Sequence, residues 1–445
     1  MRPGDARVTD LLPLEAAWDQ VLGLVPGALP AEDVPPAEAL GRVVAEAVTA
    51  RVDLPPWDNS AMDGYAVRAA DTAQATVDVP VRLAIVGEVA AGAAPGVFVE
   101  PGHAARIATG APVPPGADAV VPVELTTPLD GDGLPGALGS EATGPLPAAC
   151  LVHAAVPIGG SIRRRGDDLH EGDTVLEAGT VLTAAGVALA AGAGVTTLRV
   201  HRRPRVGVLV TGDEVRAPGE SLGPAGIPDA NGPGLRALVR VAGGEPVDLG
   251  IAPDRLDAVV ARLRAALPDV DAVVVSGGVS VGPYDVVRAA FAAVGRVDLW
   301  RVAIQPGKPF AFGVAEQGRA APALLFGLPG NPVSSFVTFE LFVRPVLRRL
   351  SGCADLFRGT DRAILEEAVT KGHGRRAFLR VIADRGPDGG VRRDRAGRVS
   401  VRLAGGQGSH VLSALAAADA LAVVPEADDR LEAGAEVELW WLDRP

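Results

Sequence analysis

The chain has few residues of the kinds that most often bind transition metals. Its two cysteines, Cys150 and Cys353, lie far apart, and its six histidines form neither an HxxxH nor an HExxH pattern. Those patterns are the usual signatures of zinc and redox sites. A site built from cysteine and histidine ligands is therefore not expected, and a reducing compartment suits the cysteine content.

Long apolar runs are also absent. No stretch is long enough to cross a bilayer, and the first ten residues, MRPGDARVTD, lack the apolar part of a signal peptide. The net charge of −12 argues against broad electrostatic binding to nucleic acid or to anionic membranes. We therefore expect a cytoplasmic protein with small-molecule ligands, any anionic one being held at a locally positive site.

Lysine, asparagine and tyrosine are rare as well. Two lysines stand among the 42 lysine and arginine residues, and the chain has three asparagines and two tyrosines. Rare residues that remain are candidates for chemical need, and most of them fall into four short motifs. These motifs are WDNSAMDGYAV from Trp57, VSGGVSVGPYD from Val275, QPGKPFAFG from Gln305 and GLPGNPVSS from Gly327.

The order of elements predicts a multidomain α/β protein. The first fifty residues are predicted to be helical, with one helix whose apolar residues begin at Leu14 and a second around 37–48. Short β-like runs follow from residue 51, and the Gly- and Pro-rich segment 126–150 is predicted to be one long mobile loop. After Cys353 the pattern is β again, as in a small barrel or sandwich.

Strands and helices alternate from about residue 203 to residue 352, which predicts a doubly wound, mostly parallel sheet. In such sheets ligands bind outside the carboxyl ends of the strands. The polar clusters of this region each follow a predicted strand: Thr211-Gly212-Asp213-Glu214, Ala252-Pro253-Asp254, Ser276-Gly277-Gly278 and Pro329-Gly330-Asn331. We therefore expect a binding crevice at this edge of the sheet.

The glycine-rich turn of the VSGGVSVGPYD motif allows a ligand to approach the backbone closely, and the hydroxyl groups of Ser276 and Ser280 add donors. It lacks the Lys-Ser/Thr end of a P-loop and the GxGxxG spacing of a dinucleotide site. The alternative is a tight turn in which Asp285 only caps the next helix. Asn331 is likewise explained as a helix cap before Pro332.

The charged residues of these clusters have two interpretations each. Asp213 and Glu214 place two carboxylates just past a predicted strand, and carboxylates beside a phosphate site normally bind Mg2+. Asp213 is alternatively a helix cap, and Glu214 and Asp254 are alternatively single acids at a strand end that are merely solvated. Lys308 is a compact charge suited to a small anion, and the alternative is a surface lysine beside Phe310. The arginine run 163–165 is a solvated face or, beside other anion-binding groups, a clamp for phosphate or carboxylate.

Taken together, the motifs resemble the molybdopterin molybdenumtransferase family, MoeA, which shares its architecture with the E domain of gephyrin. The resemblance rests on DNSAMDGYAVR, RIATGAPVPPGADAVV, IRRRGDD, PRVGVLVTGDE, VVVSGGVSVGPYD, QPGKPFAFG, GLPGNPVS, GRRAFLR and GQGSH, in this order along the chain. It implies an elongated homodimer with four parts in each subunit. These are a mixed α/β part (1–50 and 173–202), a β-rich part inserted into it (51–172), an α/β molybdopterin-binding part (203–352) and a C-terminal β-barrel (353–445).

The resemblance also implies a reaction. Members of the family take adenylylated molybdopterin and molybdate, place the metal on the dithiolene and release AMP, with Mg2+ required. Their cleft lies between the α/β part of one subunit and the inserted part of the other, and the molybdopterin adenylyltransferase is a further expected partner. Two alternatives are a molybdopterin-binding scaffold without turnover and the adenylyltransferase reaction itself.

Residue roles follow from the resemblance. The expected catalytic residues are Asp285, Glu214, Asp254, Asp63 and Lys308, of which the first three would hold Mg2+ and the pyrophosphate. Molybdate would be held by Lys308, Ser334, Arg375 and Ser409. The remaining contacts to the pterin substrate would come from Thr211, Gly212, Ser276, Gly277, Gly278, Ser280, Pro329, Gly330 and Asn331. Asp63, Thr109, Arg163 and Asp168 would reach the cleft from the partner subunit.

The chain departs from the family pattern at three positions. Arg301 and Gln305 stand where members often have lysine, so positive charge near molybdate is left to Lys308 and Arg375. Pro283 partly replaces an acidic residue after the glycine-rich turn, which weakens the case for Mg2+ held by that turn itself.

Overall fold

The structure, a computed structural model, describes residues 11–139, 144–278, 286–316 and 321–442. Within these ranges the strands pair in four regions of the chain. None of the described helices is both long and apolar enough to cross a membrane.

The first region combines two separate stretches of chain. It contains α1 (Leu14–Gly23), β1 (Ala31–Val34), β2 (Val43–Val44), β3 (Val48–Thr49), β12 (Thr174–Leu176), α3 (Ala184–Gly192) and β13 (Leu198–His201). Strands β1, β13 and β2 form one antiparallel sheet, and β12 pairs with β3. Both sheets therefore join residues before position 51 to residues after position 172.

The helix predicted around 37–48 is wrong. A single 3-10 turn, Pro36–Glu38, is followed by Gly41 with a φ of 71° and then by strand β2, which pairs with β13. A left-handed residue interrupts a helical path, and the adjacent valines Val43 and Val44 suit a strand because their branched side chains are restricted in helices.

Residues 51–172 form a region rich in β-structure. Its elements are β4 (Asn59–Ser60), β5 (Gly64–Val67), α2 (Ala69–Thr72), β6 (Val81–Val89), β7 (His103–Ile107), β8 (Ala119–Pro122), β9 (Thr126–Leu129), β10 (Ala149–Val152) and β11 (Ile162–Arg163). Six strands form a sheet in the order β8-β5-β7-β6-β10-β9, and β11 pairs with β4. The single long loop predicted over 126–150 is wrong at both ends, where β9 and β10 pair as antiparallel strands.

The third region is the predicted α/β unit. Its elements are β14 (Arg205–Thr211), β15 (Val215–Arg216), β16 (Ile227–Pro228), α4 (Asn231–Val241), β17 (Glu245–Ala252), α5 (Leu256–Ala266), β18 (Ala272–Ser276), α6 (Val286–Val294), β19 (Arg296–Arg301), β20 (Ile304–Gln305), β21 (Pro309–Ala315), β22 (Ala323–Leu328), α7 (Pro332–Thr338) and α8 (Arg344–Leu350). The main sheet has the order β17-β14-β18-β22-β21-β19. Its first four strands run parallel to one another, β21 runs antiparallel to β22, and β19 runs antiparallel to β21. The mostly parallel sheet is thereby confirmed.

Alternate side chains of the central strands enter two separate cores. Val206, Val208 and Val274 pack in the core that contains α4, α7 and α8, whereas Leu209 and Val273 pack in the core that contains α5 and α6. Successive side chains of a strand point to opposite faces, so helices cover both sides of the sheet. The doubly wound arrangement is thereby confirmed.

Helix α1 packs far from its neighbours in sequence. Its buried residues Leu14 and Val21 belong to the same core as α7 and α8. The Trp18 indole donates a hydrogen bond to the Leu341 carbonyl at 2.8 Å, and its ring stacks on Trp440 with 6.2 Å between ring centroids. The helix therefore packs against both the α/β unit and the C-terminal region.

The C-terminal region is a closed barrel. It contains β23 (Thr360–Leu365), β24 (Val369–Thr370), β25 (Arg376–Ala383), β26 (Val399–Leu403), α9 (Leu412–Ala417), β27 (Ala420–Val424), β28 (Arg430–Leu431) and β29 (Glu436–Trp441). Strands pair in the circle β25-β26-β23-β29-β27-β25, and β20 of the α/β unit adds to β25 in parallel. The alternatives of barrel and sandwich are resolved in favour of the barrel, while the domain boundaries stay a prediction.

Candidate functional site

A cleft of about 550 Å³ lies at the carboxyl ends of the parallel strands. Its lining includes the predicted residues Thr211 and Glu214 after β14, Asp254 after β17, Ser276, Gly277 and Gly278 at the end of β18, and Gly330 and Asn331 after β22. Gly212 and Pro329 belong to the same turns. The structure thus brings together the clusters at four strand ends, while the roles of the individual residues stay predictions.

Two wider hollows occur elsewhere on the molecule. One, of about 840 Å³, lies beside Arg344 and Trp441, and another, of about 720 Å³, lies beside Arg362 and Glu438 on the barrel. Neither is lined by a site residue predicted from the sequence. The cleft at the sheet edge is therefore the better candidate, because three glycine-containing turns and several carboxylates meet there.

A hydrogen-bonded group centred on Ser276 holds the base of the cleft. The Asn231 amide nitrogen donates to Ser276 Oγ at 2.8 Å and to the Gly330 carbonyl at 2.7 Å. Ser276 is fully buried, and its hydroxyl donates to the Pro329 carbonyl at 3.3 Å while it accepts from Ser335 Oγ at 3.4 Å. Asn231 therefore fastens the start of α4 to the ends of β18 and β22.

The glycine-rich turn brings two backbones into contact. Gly277 has a φ of 105°, and a Cβ at this position would overlap the carbonyl oxygen of Thr211 and lie 2.8 Å from its Oγ1. The Gly277 N–H donates to the Leu328 carbonyl at 3.2 Å. This close approach requires glycine, and it leaves main chain as the surface that a ligand would meet.

The Asn331 side chain does not cap helix α7. Pro332 occupies the first turn of that helix as predicted, but the Asn331 side chain makes no capping hydrogen bond. Asn331 thus occupies the N-cap position, as predicted, but its side chain lines the cleft and does not bond the helix N-terminus.

Three carboxylates stand together beside the ends of β14 and β17. Asp213 Oδ1 accepts a hydrogen bond from the Asp254 N–H at 3.2 Å. Burial raises the pKa of Asp254, and the nearby charges of Asp213 and Glu214 raise it further. A bound cation would relieve that repulsion, and oxygen donors of this kind suit Mg2+. The described residues contain no group of three His, Cys, Asp or Glu side chains arranged as a complete metal site.

The serines predicted to hold molybdate meet next to the cleft. The Val333 N–H donates to the Ser409 carbonyl at 3.1 Å, which joins the first turn of α7 to the loop before α9. Ser334 follows in that turn and is 5% exposed. His410, which follows Ser409, lines the cleft itself. The two serines therefore adjoin the cleft without belonging to its described lining.

The two cations of this group lie on loops that are tied together. The Gly372 N–H donates to Gln305 Oε1 at 3.1 Å, which links the loop of Arg375 to the loop of Lys308. A Cβ on Gly307 would lie 3.5 Å from the backbone of α7, so the Lys308 loop also approaches that helix. The Gln305 side chain thus holds a loop at a position where lysine is common in the family that the motifs resemble.

The other four predicted residues lie in the β-rich region, and none of them belongs to the described lining of the cleft. Asp63 Oδ1 accepts hydrogen bonds from the Thr109 N–H at 2.7 Å and from its hydroxyl at 3.0 Å. Arg163 stands opposite Asn59 in the β11–β4 pair, and Asp168 lies in the loop that follows. Within one chain the predicted site residues therefore form two separate groups.

Part of the arginine run is structural. Arg164 pairs with Asp58 at 2.6 Å, and the Arg165 N–H donates to the same carboxylate at 2.9 Å. These contacts lower the pKa of Asp58, the Arg165 N–H contributing most. The Arg165 guanidinium also pairs with Asp53. Arg164 and Arg165 thus fasten the loop after β11 to the chain before β4, and only Arg163 keeps a predicted ligand role.

Ser280 and Asp285 lie outside the described residues, as do Pro283 and Tyr284. The roles predicted for Ser280 and Asp285, and the alternative of Asp285 as a helix cap, therefore stay predictions.

Three residues that line the cleft have no predicted role: Asp229, Asn231 and His410. Asn231 is one of the three asparagines of the chain, so its rarity marks it in the same way as Asn331. Asp229 Oδ1 accepts a hydrogen bond from the Gly232 N–H, in the first turn of α4, at 2.8 Å. His410 was counted among scattered histidines, although it belongs to the GQGSH motif.

Comparison with known proteins gives the same picture. Residues 12–194 match the family described as MoeA N-terminal region (domain I and II), residues 207–349 match the probable molybdopterin binding domain, and residues 362–442 match the MoeA C-terminal region (domain IV). The chain is 39% identical to molybdopterin molybdenumtransferase 2 of Mycobacterium tuberculosis over 92% of this chain and 94% of that protein. It is 35% identical to the molybdopterin molybdenumtransferase of Haemophilus influenzae over 96% and 98%.

A solved structure agrees over almost the whole length. The molybdopterin biosynthesis MoeA protein of Pyrococcus horikoshii matches 97% of this chain and 100% of that chain, with 29% identity and a TM-score of 0.73. Three matched regions in the same order, together with relatives above 30% identity over nearly their full length, show that the chain belongs to the MoeA family of molybdopterin molybdenumtransferases.

Proposed function

We propose that this protein acts in molybdenum cofactor biosynthesis and inserts molybdenum from molybdate into adenylylated molybdopterin, with release of AMP. The observation that carries the proposal is the adjacency of two chemically different groups. A cleft lined by main chain and carboxylates suits a phosphorylated ligand. The first turn of α7 and the loop of Ser409, which are joined beside it, supply hydroxyl groups that suit a tetraoxo dianion. A reaction that joins two such substrates needs both held next to each other.

In this proposal the cleft binds the pyrophosphate of the pterin substrate. The exposed backbone of Gly278 and Gly330 and the amide of Asn331 face the phosphate oxygens. Glu214 and Asp254, with Asp285, hold Mg2+. When bound, the ion neutralises charge on the pyrophosphate and so favours its cleavage. These carboxylates fit a cation because the pKa of Asp254 is raised, first by burial and then by its carboxylate neighbours. A bound cation would offset the repulsion between the carboxylates and favour their ionised form.

Molybdate occupies the neighbouring group in this proposal. Lys308 and Arg375 supply positive charge in a chain whose net charge is −12, and the hydroxyl groups of Ser334 and Ser409 supply directed donors. The dithiolene sulfurs take the metal, and one oxygen of molybdate leaves as water with the two thiol protons. A water molecule adds across the pyrophosphate bond, which leaves a phosphate monoester on the pterin and releases AMP.

The proposal includes a homodimer in which the partner subunit completes each cleft with Asp63, Thr109, Arg163 and Asp168. It also includes the four-domain division at residues 51, 173, 203 and 353, a cytoplasmic location and delivery of the pterin by the adenylyltransferase.

Mixed dimers test the shared site. When an Asp63→Ala subunit is mixed with a Lys308→Ala subunit, half of the dimers are hybrids with one intact cleft, so about a quarter of wild-type activity returns. No recovery above either variant alone would mean that each cleft is complete within one chain.

The central experiment measures AMP. Purified protein is given adenylylated molybdopterin and Mg2+, and molybdate is added afterwards. The proposal expects AMP release that depends on molybdate. Tight pterin binding without AMP release would instead indicate a scaffold, and turnover of ATP with free molybdopterin would indicate an adenylyltransferase.

A further inference from the structure

A hollow of about 150 Å³ lies between the first region and the α/β unit. It is lined mainly by the turn before β2, the loop after β13 and the carboxyl-terminal ends of α4 and α8. It shares no described lining residue with the cleft, and no site residue predicted from the sequence lines it. Helix α4 begins at the cleft and ends at the hollow, so the two are roughly 15 Å apart along its axis.

The lining of this hollow is positively charged. Two of its arginines have acidic partners nearby, since Arg202 makes two hydrogen bonds of 2.7 Å to Asp271, and Arg42 pairs with Glu32. The chain as a whole has a net charge of −12, so the hollow is a locally positive site in an acidic protein. Its described lining includes five arginines and one histidine but no acidic residue: Arg42, Arg202, Arg203, Arg240, Arg348 and His201.

The charges of the other three arginines are not balanced within the protein. Among the described residues no carboxylate forms an ion pair with Arg203, Arg240 or Arg348. Arg203 donates to the Leu40 carbonyl at 3.0 Å and Arg348 donates to the Asp355 carbonyl, but both acceptors are uncharged. Cations are favoured in the last turn of a helix, where Arg240 and Arg348 lie, so their charge alone does not require a ligand.

Two buried polar atoms of the lining indicate a ligand independently of these charges. Ser351, which ends α8, is 5% exposed, and its Oγ has no hydrogen-bond partner among the described residues. This Oγ faces Gly243, another lining residue, whose added Cβ would lie 3.7 Å away. Arg42 is 8% exposed, and its Nε likewise has no partner in the described part of the chain. Buried donors without an acceptor are unfavourable, and an oxyanion would accept from both hydroxyl and guanidinium groups.

The size of the hollow limits what it can hold. Sites that enclose drug-sized ligands measure about 300–1,000 Å³, which is well above the 150 Å³ of this hollow. A water molecule occupies about 30 Å³ in the liquid, so the hollow has room for roughly five. A single tetrahedral anion fits this volume, whereas a nucleotide or a pterin does not.

We propose that the hollow binds one small tetrahedral oxyanion of the phosphate or sulfate class. The anion balances the charges of Arg203, Arg240 and Arg348 and accepts the hydrogen bond of the Ser351 hydroxyl. Its donors come from both sides of the hollow, so it ties the first region to the α/β unit. The site lies outside the cleft, and the inference does not rest on the proposed function.

Isothermal titration calorimetry on the full-length protein tests the proposal, with inorganic phosphate and inorganic sulfate in separate titrations. Chloride keeps the ionic strength constant, because screening alone changes weak ionic contacts. We expect one equivalent of at least one anion to bind, and the tighter of the two identifies the ion. Arg240→Gln should raise its Kd about tenfold, since a hydrogen bond to a charged group is worth about 1.5–3 kcal/mol. Arg240 is exposed, so this variant should fold.

Arg349→Gln is the matched control. Arg349 lies beside Arg348 in the last turn of α8 but does not line the hollow, so the Kd should stay within about twofold of wild type. Equal Kd values for Arg240→Gln and Arg349→Gln, or no binding of either anion to the wild-type protein, would overturn the proposal. Lys308→Ala should leave the Kd unchanged, and loss of binding in that variant would place the anion beside the cleft instead.

Ser351→Ala tests the unpaired hydroxyl. In chloride buffer its Tm should equal or exceed that of wild type, because the change removes a buried polar group that has no partner. Its Kd for the anion should nevertheless rise about threefold or more, since one donor is lost. A lower Tm together with an unchanged Kd would show that the Ser351 hydroxyl serves the fold and not a ligand, which would contradict the proposal.

Discussion

Replacement of Asn231 by alanine tests the assembly of the cleft most directly. The change removes hydrogen bonds of 2.8 Å to Ser276 and 2.7 Å to Gly330. Each such bond contributes about 0.5–1.5 kcal/mol to stability. The higher helix propensity of alanine in α4 offsets a few tenths of a kcal/mol of this loss in the free energy of unfolding. Ser276 keeps its bond to Pro329, so the Gly330 carbonyl is the acceptor left without its donor. The loss in the free energy of unfolding should therefore be about 2 kcal/mol.

Differential scanning calorimetry measures this loss. A unit of 150–250 residues changes its Tm by about 2–4 °C per kcal/mol, so the transition of the α/β unit should fall by about 4–8 °C. The turns after β18 and β22 also lose their common fastening, so the Kd for adenylylated molybdopterin should rise by about threefold or more.

Asn331→Ala is the control for this experiment, because the Asn331 side chain lines the same cleft but makes no capping hydrogen bond. Its Tm should stay within about 1 °C of wild type, since surface substitutions rarely change stability by more than about 0.5 kcal/mol. Equal Tm values for Asn231→Ala and Asn331→Ala would show that Asn231 does not hold the three turns together.

Three further predictions concern other parts of the molecule. Gly277→Ala should lower the Tm and abolish pterin binding, because the added Cβ would overlap Thr211. Gly234→Ala is the control in α4: its added Cβ would have no neighbour within 4 Å, so this change should add about 0.5–1 kcal/mol to stability. Wild-type behaviour of Gly277→Ala would refute the close-contact argument. The pKa of Asp53 is lowered by the Glu171 N–H and then by Arg165, so its contribution to stability is complete above the unfolded pKa near 4 and is lost as the pH falls through the lowered value. Asp53→Asn should thus lower the Tm at pH 7 and lower it progressively less as the pH falls below about 4, and a difference independent of pH would contradict this. Removal of Mg2+ by EDTA should stop AMP release without lowering the Tm, and continued release would exclude the magnesium role.

The edge of the parallel sheet was predictable because its signals are local. A strand followed by glycine, serine or acidic residues occurs four times, and the end of each parallel strand falls where the sequence indicated. Helix α1 was also found, but an apolar stripe predicts only that a helix is buried and does not identify what covers it. The helix expected around 37–48 failed because tertiary pairing of β2 with β13 outweighed the local spacing of apolar residues.

The partners of Asn231 could not be deduced from spacing. They lie 45 and 99 residues further along the chain, and no local rule connects them. The same holds for Ser409 and Arg375, which entered the predicted site only through resemblance to the MoeA family. The burial of Arg380 on β25 was not predictable either, since its side chain is 1% exposed and donates to the Gly406 and Gly408 carbonyls. An arginine in a strand is expected to be exposed or paired with a carboxylate.

The packing of α1 has a consequence for the synthesis of the protein on the ribosome. The hydrogen bond between Trp18 and Leu341 spans 323 residues, and Trp440 emerges later still. At translation rates of about 5–20 residues per second, the helix waits on the order of 15–65 s before its docking surface exists. Its apolar stripe lacks that surface for all of this time. Among the described helices, the first to be synthesised thus reaches its packing partners only after most of the chain has been made.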